Sequence, residues 1–424
     1  MPTFHVKRFE PSLYANYFLI GYAFFLPISH KIASIIMIFF TFFLLLSGNL
    51  KERFLNIIGD KIIIAFILFY LLHLVWMIGS ENLHIALLKL KEFKYILYII
   101  PIAMVLKKEF IPKILTGFIV AMFLSEIISY AMNFGIFSSV WTHLEANYSN
   151  VPFMQSYTTY SVILSITSGI LLYQLLTNKN LNFYSKIIYS TFFISASLNI
   201  FIIASRIGYL LYSLPIFLTL LIIYKKQFYK TILLGFFIIL MGYMTAYLSS
   251  DLFKKRVTEA TNDIELASDG NLATSLGARV GYHIYSYDII KENLFFGVGT
   301  GDHIDAVVEK VYLSESNIQN VQEIIYNISS GHNANLHSEY LDTVVQFGII
   351  GLLIFLNIFY QIFRYPQSDS YLKMIQLLTI TIMLFVSIGS IIFIQADIGK
   401  IFILLISLTL NIKPLSFTSA QRST

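Results

Sequence analysis

Ile32-Ala33-Ser34-Ile35-Ile36-Met37-Ile38-Phe39-Phe40-Thr41-Phe42-Phe43-Leu44-Leu45-Leu46 is the stretch whose reading decides the fold. It carries no charge, and its apolar residues do not alternate with polar ones as they would over the roughly ten residues of a barrel strand. Runs of this kind recur almost end to end in a chain of 424 residues that is 57% hydrophobic and only 12% charged. Inside lipid, every backbone polar group must be satisfied within the chain, which leaves helices once barrels are set aside. The expectation is an all-α, polytopic membrane protein.

Run lengths measured against the roughly 18 or more apolar residues of a membrane helix give about twelve spans. They lie near residues 12–29, 31–47, 61–78, 94–106, 111–132, 155–176, 186–204, 207–224, 231–249, 336–360, 371–393 and 396–412. The fourth is short, and residues 82–94 either extend it or lie in the interface. Lys7 and Arg8 precede the first run, and no small-residue cleavage site follows, so that run reads as a retained span.

With the N-terminus inside, more than half of the 29 Lys and Arg residues fall on short inner connections, Lys51, Arg53, Lys107, Lys108, Lys225 and Lys226 among them. The positive-inside rule then places both termini in the cytoplasm. Basic residues spread over many loops, at a net charge of only +5, argue against nucleic-acid binding, which asks for a concentrated patch. There is no cysteine, so disulfide and thiolate chemistry are excluded.

Two outer segments are long, residues 133–154 and 250–335. The second, between the ninth and tenth spans, is far longer than an ordinary connection. Residues 253–266 and 279–294 have helical patterning, and Phe295-Phe296-Gly297-Val298-Gly299-Thr300-Gly301 reads as a turn with an apolar lead-in. A folded periplasmic cap of short helices is expected there, on a chain that is otherwise a single membrane domain over residues 1–424.

Most of the polar chemistry of the chain is concentrated at this cap. Arg206, in Ala204-Ser205-Arg206-Ile207-Gly208, sits at an outer hairpin. It reads either as an anion clamp facing a protein interior or as an interfacial side chain reaching for headgroups. Arg279 opens a helix that also carries His283, Tyr287 and Lys291 at spacings near four, so these share one face. That face is either a solvated surface or, through the two-pronged guanidinium, a phosphate grip. His337 stands at the start of the tenth span, where an imidazole can take a proton near neutral pH or simply cap a helix. Tyr340 is expected on the same side as His337, while Ser338 and Glu339 point elsewhere. His332 lies in the loop just before. Lys89, Lys91 and Lys94 form an outer basic strip that suits headgroups or a lipid diphosphate. Asp302, His303 and Asp305 read as turn residues rather than metal ligands, and Gly348 and Gly351 as a site of close helix packing.

Three pieces of sequence, in this order, carry a family resemblance. They are Ser205-Arg206-Ile207-Gly208; Arg279 followed by Asn293-Leu294-Phe295-Phe296-Gly297-Val298-Gly299-Thr300-Gly301; and His332-Asn333-Ala334-Asn335-Leu336-His337-Ser338-Glu339-Tyr340-Leu341 with Gly348-Ile349-Ile350-Gly351-Leu352. With the long outer loop between them, the chain resembles the bacterial O-antigen ligase and polymerase family of polytopic membrane glycosyltransferases. The resemblance implies a glycosyltransferase C-like membrane fold in the bacterial inner membrane, with residues 250–335 capping a periplasmic active site. It implies an inverting, metal-independent transfer, without cofactor, from an undecaprenyl-diphosphate-linked glycan donor to a lipid A-core acceptor. His337 would then be the general base and Arg206 and Arg279 the diphosphate ligands, with His332, Lys89, Lys91, Tyr340 and His283 around the substrates. Related sequences often carry a second histidine where this chain has Asn335.

The first outer loop, residues 27–31, lacks the acidic residue that metal-dependent lipid-linked glycosyltransferases usually place there. A polymerase acting on the same donor remains open, as does transfer to protein. A transporter of lipid-linked sugar is the rival of a different class, but only Glu126 stands out as an intramembrane charge.

Overall fold

The computed structural model describes residues 9–136, 151, 156–328, 334–393 and 396–411. No strand occurs among them. The helices are α1 (Pro11–Phe25), α2 (His30–Leu46), α3 (Leu50–Ile57), α4 (Lys61–Val75), α5 (Leu83–Phe93), α6 (Ile99–Val105), α7 (Ile111–Asn133), α8 (Tyr157–Thr177) and α9 (Phe183–Asn199). They continue with α10 (Arg206–Ile223), α11 (Phe228–Ser249), α12 (Asp251–Ser268), α13 (Ser275–Glu292), α14 (His303–Ser314), α15 (Ile318–Ile328), α16 (Glu339–Arg364), α17 (Ser370–Gly389) and α18 (Ala396–Leu408).

Among the described residues, each apolar run read from the sequence contains a helix. Among the described residues, seven helices are long and apolar enough to cross a membrane: α7 to α11, α16 and α17. The other runs make shorter helices; α2 and α3 meet at a bend of 108°. Residues 82–94 form the separate helix α5, which passes through a 3₁₀ segment, Lys94–Tyr98, into α6. Polar caps end the long runs where the sequence turns polar. The side chains of Asp60, Ser156, Asn182, Ser205 and Asp369 each accept a backbone N–H at the start of α4, α8, α9, α10 and α17, a bond worth about 1 kcal/mol per helix.

Helix α8 runs through the centre of the bundle and is buried on every side. Three of its polar residues are satisfied locally: Ser161, Ser165 and Thr167 donate to the carbonyls one turn back, at 2.7–2.8 Å. By contrast α11 is peripheral, with few buried residues, in keeping with a surface that faces lipid.

Helices α12 to α15 pack together at one end of the bundle around a small core of their own, including Tyr282, Ile289, Val307, Val311 and Ile324. That core continues onto Leu341 and Val345 in the first turns of α16, so the cap is fastened to the bundle by apolar burial worth about 1.5–3 kcal/mol per large side chain. At the far side, Phe201, Tyr209, Tyr243 and Phe253 form an aromatic cluster that seats the start of α12 on α10 and α11.

Gly348 does more than permit close packing. It breaks α16, with φ 62° and ψ −162°, a conformation open essentially to glycine alone. The break frees the carbonyls of Val345 and Gln346, and the glycine-rich turn before α14 threads in to take them. Val298 and Gly299 donate to these carbonyls at 3.0 and 2.9 Å, and Ile349 donates back to Leu294 at 2.8 Å. A Cβ at Gly297 would meet the Gln346 backbone, and one at Gly348 the Phe295 carbonyl. The same turn closes the end of α4, where Thr300 Oγ1 donates to the His73 carbonyl at 2.8 Å and Thr300 N to Trp76 at 3.2 Å.

Candidate functional site

The cap, the end of α4, α5, the start of α10 and the start of α16 gather at the same end of the bundle. His337 stands two residues before α16, which begins at Glu339. Its backbone is left-handed, with φ 53°, a conformation that costs a non-glycine residue on the order of 1 kcal/mol or more. The surroundings hold it there. Its N–H donates to Asn335 Oδ1 at 2.9 Å, and the preceding N–H, of Leu336, donates to Asp342 Oδ1 at 3.1 Å. Ser338 Oγ donates to the Ser387 carbonyl on α17 at 3.2 Å and accepts Leu341 N as the cap of α16.

The His337 ring is half-buried and stacks on Tyr282 of α13, with centroids 6.0 Å apart and planes at 13°. Tyr282 is fully buried. Burial pushes its hydroxyl up from the ordinary value, and the nearby Arg279 guanidinium pulls the other way. Arg279 is thus one helical turn from the residue that carries His337. Its Nε is buried without a hydrogen-bond partner, and no carboxylate among the described residues pairs with it.

Arg206 is held differently. It is the first residue of α10, placed by the Ser205 cap and by Gly208 packing against Ser161 of α8. Its Nη1 lies 2.6 Å from Asp263 Oδ2 and its Nη2 3.3 Å from Glu259 Oε2, both on α12. Arg256 Nη1 shares Glu259, at 2.7 Å. Burial raises the Glu259 carboxyl, but the Arg256 and Arg206 guanidiniums outweigh it and hold the group below its ordinary value.

Lys89 and Lys91 part company, because residues two apart point to opposite sides of a helix. Lys89 is buried and its Nζ donates to the Ala334 carbonyl at 2.6 Å, three residues before His337. Lys91 and Lys94 are exposed. Tyr340 turns into the bundle, donating to the Leu384 carbonyl at 2.9 Å and meeting Phe355 edge-on. His283 is on the exposed face of α13, with Tyr287 and Lys291. His332 lies outside the described residues.

The roles of Glu339 and Asp342, and of Glu259 and Asp263, escaped the sequence reading. Glu339 is buried, and its Oε2 accepts the N–H groups of Ile392 and Phe393 at 2.7 and 3.4 Å. Asp342 is buried between Leu336, Gln346 and His303. Two carboxylates in the first turn of an otherwise apolar helix were the signal for this pair, as the i, i+4 spacing of Glu259 and Asp263 was for the clasp on Arg206. Asp302 is used structurally: it accepts Ser80 Oγ and the N–H groups of Glu81 and Asn82.

Residues 191–356 match a family model described as O-antigen ligase. The match takes in α10, the whole cap and the broken start of α16; outside it lie the contacts from α4–α5 and the turn between them, from Ser161 of α8, and from α17 and the turn after it. No curated protein matches the chain. The all-helical bundle with its apolar spans agrees with this match, and over residues 191–356 the chain is similar to the O-antigen ligase/polymerase family.

Proposed function

We propose that the protein is an O-antigen ligase, transferring a glycan from undecaprenyl diphosphate to a hydroxyl of lipid A-core at the periplasmic face of the inner membrane. One observation carries this reading. His337, fixed in a left-handed turn, stacks on the tyrosine one turn from Arg279, a cation without a carboxylate partner among the described residues.

The chemistry follows from those two groups. A sugar hydroxyl is a poor nucleophile and gains from a base within hydrogen-bond reach. His337 takes the hydroxyl proton as the oxygen attacks the anomeric carbon. The bond from that carbon to the diphosphate oxygen breaks on the opposite face, its electron pair leaves with the lipid diphosphate, and the anomeric configuration inverts. The charge developing on the diphosphate needs cations more than a proton, and Arg279 supplies one of them. Arg206 is the second, once the diphosphate has displaced Glu259 and Asp263. Lys89 supports the loop that carries the base, and His283 and Lys91 lie on open faces toward the bulky glycan. The transfer runs without a metal ion and survives chelation.

The test is mass spectrometry of lipopolysaccharide from a strain with the gene deleted. Bare core, with polymer accumulating on its lipid carrier, is the expected outcome. Core bearing a single repeat would mean a polymerase instead, and unchanged lipopolysaccharide would overturn both.

A further inference from the structure

We infer that Asp342 is a positioning residue for this reaction: from inside α16 it fixes the backbone turn that presents His337, and Gln346 and His303 hold it in place. The inference rests on the reading of His337 as the base.

The loop from Ala334 to Ser338 must keep a strained, left-handed residue at its centre. Several hydrogen bonds hold it, and they differ in kind. Asn335 is a neighbour within the loop and moves with it. Ser338, on the other side of His337, ties the junction with α16 to α17. The bond from Leu336 N to Asp342 Oδ1, at 3.1 Å, joins the residue directly before His337 to a side chain anchored in the helix.

Asp342 is itself held from three sides. Its Oδ2 accepts Gln346 Nε2 at 2.9 Å, one turn along the helix. Gln346 Oε1 in turn accepts Gly301 N at 3.2 Å, which links the carboxylate to the glycine-rich turn threading the break at Gly348. From α14, His303 Nε2 lies 3.1 Å from Asp342 Oδ1, at ion-pair distance but poorly aligned for a hydrogen bond. All three side chains are buried, at 2% accessibility or less. The Lys89 ammonium acts electrostatically on the same carboxylate.

A buried carboxylate with this many partners has one orientation, and low local dielectric makes each bond stiffer than it would be in water. Nothing places Asp342 against substrate; it acts through the backbone of Leu336 and His337. The cap, the glycine-rich turn and α16 therefore meet at one carboxylate, and that carboxylate sets where the base stands.

The experiment uses the purified full-length protein with Asp342→Ala, and with Asp342→Asn, which keeps the volume and an acceptor for Leu336 should the alanine variant fail to fold. Two quantities are read for each. One is amide hydrogen exchange in peptides spanning residues 334–341. The other is the split between kcat and donor KM, with lipid-diphosphate-linked glycan as donor and lipid A-core as acceptor. Exchange at Leu336 and His337 rises about tenfold, kcat falls by about tenfold or more, and donor KM stays within about twofold, as expected when only the reacting geometry is lost. Asp342→Asn shows the same pattern at smaller amplitude. Unchanged exchange in the loop would overturn the inference. So would loosening of the whole of α16, or a rise in KM at constant kcat, since these mean a packing or binding role. If His337→Ala kept full activity, the base assignment itself would fall, while the exchange result would still report on the positioning.

Discussion

Two charged assemblies stand at the same end of the bundle and are built in opposite ways. Where α12 meets α10, Arg206, Glu259, Arg256 and Asp263 form an open chain of ion pairs with side chains 15–31% accessible. At the start of α16, Asp342 is enclosed, with Gln346 and His303 buried around it. Pairs of the first kind are screened by solvent and worth roughly 0–1 kcal/mol. Leaving a buried polar group without its hydrogen-bond partner costs about 1–3 kcal/mol, and more for a charged one. The difference separates two tasks: the clasp on Arg206 is weak enough for a dianionic ligand to exchange, while the cradle under His337 is too costly to rearrange during a turnover.

The largest effect belongs to the enclosed region. Gly348→Ala puts a Cβ against the Phe295 carbonyl in a backbone conformation closed to alanine, and is expected to cost about 3 kcal/mol or more. Thermal unfolding in detergent would show a large drop in midpoint; an unchanged midpoint would mean the threaded turn does not hold α16. Next comes Arg279→Lys, which keeps the charge but loses the planar fork. A fall of about 10²-fold in kcat is expected, and full activity would take Arg279 out of the transition state.

Smaller effects are expected at the clasp. Asp263→Asn removes one carboxylate from Arg206 and should change stability by less than about 1 kcal/mol. If a diphosphate competes for Arg206, donor KM in this variant falls, and a clear rise would show that Asp263 instead holds Arg206 in its working position. The smallest effect is with pH. Glu259 has its folded value held below the ordinary 4.5, so its contribution is present in full above that value and is lost as the pH falls through the folded one. Acidification through the folded value should therefore loosen α12, read as faster amide exchange in peptides of 251–268. Unchanged exchange there would mean that the Glu259 pairs do not hold α12.

How much of this could be read from the sequence follows from the same contrast. The helical class was legible because an apolar run such as that of α2 has only one way to satisfy its backbone in lipid; the count of spans was not, since seven helices rather than twelve are long and apolar enough to cross a membrane among the described residues. Arg206 and His337 were legible as polar groups at the ends of such runs, and Arg279 as a cation on a helix of the long segment between them. The break at Gly348 was not, since two glycines on a helix face suit packing as well as they suit a kink; what decides is the turn from residues 294–299, which is distant in sequence. Lys89 and Lys91 were read together as a strip, and helix periodicity divides them. The meeting of Asp342 with His303 went unnoticed because 39 residues separate two side chains that come together only when the cap folds back onto α16.

The most direct test of the central claim is transfer by purified protein from a lipid-diphosphate-linked glycan to lipid A-core, in excess EDTA, for wild type and His337→Ala. Mass spectrometry would follow product, and NMR its anomeric configuration. The account predicts that wild type transfers with inversion in the chelator, and that His337→Ala loses about 10²–10⁴ in kcat with donor KM little changed. Full activity of His337→Ala, or activity abolished by EDTA and restored by a divalent ion, would contradict it.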